Sequence, residues 1–122
     1  MLKEIRKIRQ EGPGRLRWFR DSYWDLYAWY DEANSLIRFE LCYGKPRNEQ
    51  VFAWRRSGSH DHWKVNETES TYTFNQVAIY DASDADFDPE PVIERFRKDM
   101  PAGEAELREF VLRALREARP AG

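Results

Sequence analysis

A single cysteine, Cys42, stands in the 122-residue chain, so neither an internal disulfide nor a thiolate cluster is available to hold it together. No apolar run approaches the roughly 18–20 residues that a membrane-spanning helix requires. The N-terminal stretch MLKEIRKIRQ lacks the apolar core of a signal peptide, and the expectation is a soluble, cytoplasmic protein. An excess of one charge is missing as well. The 20 Lys and Arg against 22 Asp and Glu leave a net charge of -2, so no global field draws the chain to nucleic acid or membrane. What is abundant is rings. With aliphatic side chains scarce, 5 Trp, 6 Tyr and 7 Phe must supply much of the core of what this length allows, one domain over residues 1–122.

The charge is unevenly placed. Residues 1–20 carry seven Lys or Arg against two Glu, whereas 81–94 hold Asp81, Asp84, Asp86, Asp88, Glu90 and Glu94 with no base. Between these regions, from Arg15 onward, short β-rich runs are separated by turn residues: RLRWFR, YWDLYAWYD, LIRFELCYG, QVFAWRR and HDHWKV. Such spacing describes an antiparallel meander occupying about residues 3–80, with further strands in TYTF and QVAIYD. The opening segment 3–10 reads equally as strand or helix, because Leu2, Ile5 and Ile8 recur at helical spacing.

In the central hairpin, a type I turn over Glu32, Ala33 and Asn34, with Asn34 in the left-handed region, pairs Asp31 with Ser35. Carried on without interruption, that register sets Trp29 opposite Ile37, Tyr27 opposite Phe39 and Asp25 opposite Leu41. The odd-numbered residues then form the apolar core face. Trp24, Leu26, Tyr30 and Leu36 fall on the mixed even face and are the candidate binding residues.

After an acidic, Pro-containing loop at about 81–88, two helices are predicted, at about 89–100 and 103–119. Asp88-Pro89 provides a cap and a first-turn proline, and Val92, Ile93, Phe96 and Met100 form a stripe. Leu107, Phe110, Val111, Ala114, Leu115 and Ala118 form a second. Both stripes are expected on the odd face of the sheet.

The blocks RWFRD, DLYAWYD and FELCYGKP, followed by an Asp/Pro loop and two helices, resemble a set of short bacterial proteins without an assigned activity. The resemblance runs along nearly the whole chain. It implies a free-standing bacterial protein, and it transfers no catalytic or binding residue.

Asp25 is the one catalytic candidate, a lone carboxylate in a run of inward rings that needs a partner. A two-residue turn at Asp21-Ser22 would set Trp18 opposite it, offering an indole donor and a structural role; a pocket would instead make it an acid or base. His60 and His62 share one side of a strand, and Cys42 would be their third ligand, but His-x-His alone is a weak metal signal and none is expected. The DADFDPE run fails as a calcium loop because Pro89 and Arg95 stand where glycine and glutamate are needed. Arg15, Arg17 and Arg20 interleave with Trp18 and Phe19, the best case for nucleic acid, against which the net charge argues.

The fold expected is α+β: a curved antiparallel meander of five to six strands with two C-terminal helices on one face. The function expected is a small, non-enzymatic binding or interaction module without cofactor. Its ligand would sit in the sheet–helix cleft, or a protein partner or second copy on the even face. The competing readings are a small enzyme using Asp25 with a histidine, and a nucleic-acid binder.

Overall fold

The computed structural model describes residues 1–10, 12–57, 59–65, 80–81 and 87–118. Among these, seven strands form one antiparallel sheet in chain order: β1 (Lys3–Ile5), β2 (Arg15–Arg20), β3 (Asp25–Tyr30), β4 (Leu36–Tyr43), β5 (Gln50–Arg55), β6 (His60–Val65) and β7 (Tyr80–Asp81). Helices α1 (Glu90–Asp99) and α2 (Ala105–Glu117) follow, joined by a 3-10 turn at Ala102–Glu104. The architecture is α+β as expected, and the segment open between strand and helix provides the short edge strand β1. The TYTF segment and Asp84 and Asp86 lie outside the described residues. No helix among the described residues is long and apolar enough to cross a membrane.

The turn of the β3–β4 hairpin forms as its residues dictate. Asn34 takes φ 65°, the Asp31 amide donates to the Ser35 carbonyl at 2.9 Å, and Tyr30 still faces Leu36. Ile37 then bulges out of the ladder, its carbonyl taking the Arg56 amide at 2.9 Å. One extra residue inverts the parity: Trp29 meets Arg38, Ala28 meets Phe39, Leu26 meets Leu41 and Asp25 meets Cys42. The predicted odd core face therefore holds on β4 and is reversed on β3.

The helices cover the face that carries Phe19, Trp24, Leu26, Ala28, Phe39, Leu41, Tyr43 and Phe52. Against it pack Val92, Ile93 and Phe96 of α1 and Leu107, Val111, Leu112 and Leu115 of α2. Trp24 is fully buried, edge-on to the Phe96 ring at 5.4 Å, and its indole N–H donates to Asp99 at 2.8 Å. That bond and the Leu2 amide on the Asp99 carbonyl (3.0 Å) fasten the end of α1 to the sheet. Arg17 forks between Glu4 at 2.9 Å and Glu104 at 2.8 Å, tying β1, β2 and the start of α2 together. At the start of α1 the cap residue is Pro89, one position later than expected, and Asp88 accepts the Glu90 amide at 3.1 Å.

Candidate functional site

The opposite face of the sheet, away from the helices, carries a second apolar cluster of Tyr27, Cys42 and Val51, with Leu16, Trp18 and Trp29 packed against it. Trp18 and Tyr27 are cross-strand neighbours whose rings stack at 5.7 Å and 19°, and Tyr27 lies 6.2 Å from Trp29. Each tryptophan also has an arginine on its ring: Arg20 at 5.2 Å from Trp18 and Arg38 at 4.1 Å from Trp29. Both arginines are ion-paired, to Asp25 and Glu40 respectively.

Two rings of this ladder, Trp18 and Trp29, line a groove of about 990 Å³. Leu16, Trp18, Trp29 and Ile37 form its apolar floor and Ile8 its far side, with Arg9, Arg15, Asp31 and Glu32 at the rim. The far side exists because the chain before β2 folds back along it. The Gln10 side chain imitates a ladder residue, donating to the Leu16 carbonyl at 2.9 Å and accepting the Leu16 amide at 2.8 Å. Gly14 allows the closest approach, for a Cβ there would run into the Tyr30 carbonyl oxygen. The bulge places Ile37 beside Trp29 on the groove.

At the other end of the same face lies a charged cluster built on Asp25, which is 6% exposed. Its Oδ1 accepts the Trp18 indole N–H at 2.9 Å and faces Arg20 at 3.4 Å, and its Oδ2 pairs with Lys45 at 2.7 Å. The expected indole partner is thus present, from a diagonal position. The turn is wider than two residues: the Asp21 amide donates to the Trp24 carbonyl, Arg20 stands opposite Asp25, and Trp18 stands opposite Tyr27. Burial raises the Glu49 carboxyl above its ordinary range, and the Asp25 charge adds to this. Burial likewise raises the Tyr27 hydroxyl and the Cys42 thiol, with the Asp25 charge adding to both.

The other sequence candidates are distributed differently. Trp24 and Leu26 belong to the core beneath the helices and offer no contact surface, while Tyr30 and Leu36 are half-buried at its edge. The parity inversion is the reason. His60 and His62 stand opposite Trp54 and Phe52. His62 stacks on Phe87 at 4.0 Å and meets the Tyr43 hydroxyl at 2.5 Å, on the helix side. Asp25 and Cys42 face the other way, so the sheet separates both from His62. Among the described residues no three His, Cys, Asp or Glu groups are gathered for a metal. The arginines do not form a stripe: Arg17 is committed to two carboxylates on the helix side and Arg20 to Asp25 on the free side.

A smaller cavity of about 330 Å³ lies over the Tyr43–His62 pair, lined also by Tyr23, Gln50, Phe87 and Val92. The groove itself was missed by sequence reasoning. Its signal was the alternation of Leu16 and Trp18 with arginines in RLRWFR, but Phe19 on the opposite parity obscured which side was free. No protein-family model matches this chain, and no curated protein or solved structure is significantly similar to it.

Proposed function

We propose that the protein is a small-molecule binding module whose site is the groove on the helix-free face of the sheet, and that its ligand is planar and mainly apolar. One observation carries this reading: two half-buried tryptophans, Trp18 and Trp29, line a concave space of about 990 Å³ instead of being sealed beneath the helices. That volume suits a small-molecule site, which is mostly apolar with a few polar groups at its margin. Indole faces favour flat ligands, because offset stacking adds to simple burial. Rim charges of both signs favour a neutral or zwitterionic molecule. Binding is preferred over catalysis because Asp25 is not among the groove's lining residues and its oxygens are engaged by Trp18, Arg20 and Lys45.

Titration with N-phenyl-1-naphthylamine, a neutral, mainly apolar fluorophore with a flat naphthyl ring, tests the reading. Saturable one-site binding is expected, weakened about tenfold or more by Trp29→Ala, since losing one stacked ring removes more than ~1.4 kcal/mol. A remote exposed change, Lys98→Ala, should leave it intact. Absence of saturable binding, or equal binding by Trp29→Ala, overturns the proposal.

A further inference from the structure

We infer that Asp25 is the positioning residue of this groove: it holds the Trp18 indole in the orientation that walls the ligand, and it links that wall to the 44–49 loop through Lys45. The inference rests on the reading of the groove as a ligand site. Trp18 lines the groove and Asp25 does not. Yet two of the contacts around the Trp18 ring lead to Asp25, and a third comes from its near neighbour on β3. The indole N–H donates to Oδ1 at 2.9 Å, the Arg20 guanidinium over the ring lies 3.4 Å from the same oxygen, and the Tyr27 ring stacked on it is the next residue but one along β3.

A half-buried indole on a sheet has several staggered rotamers, and a directional bond to a fixed acceptor selects one. The acceptor is fixed because its second oxygen is held by Lys45 at 2.7 Å, with both side chains largely buried. Lys45 is placed in turn by the 44–49 loop. Gly44 takes φ +89° with its carbonyl accepting the Asn48 amide at 3.0 Å, which folds Lys45 back toward Asp25. Loop, carboxylate and indole thus form one mechanical series, Lys45–Asp25–Trp18. Asp25 acts on the ligand only through Trp18, which separates this role from general structural support.

The test is a double-mutant cycle read by N-phenyl-1-naphthylamine affinity, with the Trp18 indole N–H resonance, assigned through Trp18→Phe, as a readout independent of any ligand. Asp25→Ala is expected to weaken the probe about tenfold and to move the indole resonance upfield as its acceptor is lost. Asp25→Asn, which keeps an acceptor oxygen, should lose less. Asp25→Ala/Trp18→Phe should bind no more weakly than Trp18→Phe alone. If Asp25→Ala does not fold, Asp25→Asn/Trp18→Phe against Trp18→Phe makes the same comparison. The inference is overturned if the Asp25 variants bind as wild type while Trp29→Ala does not, if the full Asp25 loss persists in the Trp18→Phe background, or if the indole resonance ignores Asp25→Ala. Loss of effect in Trp29→Ala as well would instead remove the groove as a ligand site.

Discussion

Trp29 stands opposite Arg38 in the β3–β4 ladder, and the guanidinium carbon lies 4.1 Å from the centre of its ring. That pairing is the visible result of the Ile37 bulge. It puts the Trp29 face of β3 on the helix-free side and sends Leu26 into the main core.

The face assignment is testable by truncation. Leu26→Ala should destabilise the protein by roughly 2–5 kcal/mol, because a fully buried side chain leaves a cavity. Trp29→Ala should cost less despite removing more atoms, since Trp29 is only half-buried. Urea denaturation of the two variants decides it; the reverse order would restore the odd face of β3 to the core.

Arg17 concentrates the ties among β1, β2 and the start of α2. Arg17→Met keeps the packing of the stem but strands the Glu4 and Glu104 carboxylates, a loss of roughly 1–3 kcal/mol. The Arg17 guanidinium holds the Glu4 carboxyl below its ordinary 4.5. A depressed carboxyl pKa contributes stability that is present above the ordinary value and lost as pH falls through the folded one. The gap between wild type and Arg17→Met should therefore narrow in acid. A gap that stays constant down to about pH 3 would contradict this account.

Glu49 has the opposite sign. Burial, with the Asp25 charge behind it, raises its carboxyl above 4.5, so the fold favours the protonated form. Its contribution is present below that value and lost as pH rises through the folded pKa. Glu49→Gln should be more stable than wild type near neutrality and show no advantage at about pH 4. Thermal melts across that range provide the check, and a neutral-pH loss would mean that Glu49 makes a bond worth more than its burial.

Gly44 is required by conformation and by space together. Its φ of +89° disfavours any L side chain, and an added Cβ would meet the Asn48 carbonyl oxygen. Gly44→Ala should cost at least about 1 kcal/mol. By displacing Lys45 it should also shift the Trp18 indole resonance, whereas Gly103→Ala, where an added Cβ meets nothing, should leave that resonance in place.

Local chemistry was sufficient for much of this molecule. The Asp31–Ser35 turn, with Asn34 in the left-handed region, follows from residue types alone. So do the two helices, whose stripes lie within one chain segment, and the need of Asp25 for a donor, which Trp18 was near enough to supply. What sequence could not decide was side. In β3 and the residue before it both parities are apolar, with Trp24, Leu26 and Ala28 on one and Tyr27 and Trp29 on the other, so period-two alternation has no contrast to read. A single bulged residue then exchanges the faces, and nothing in LIRFELCY marks Ile37 as that residue; it is held by the Arg56 amide from the end of β5. The groove depends on that register too: Gln10 pins its far side to Leu16 within one short segment, but its floor brings Leu16 and Trp18 of β2 together with Trp29 of β3 and the bulged Ile37. Composition and turn chemistry are local, whereas register across strands and the closure of a groove are set by which surfaces the whole fold can bury.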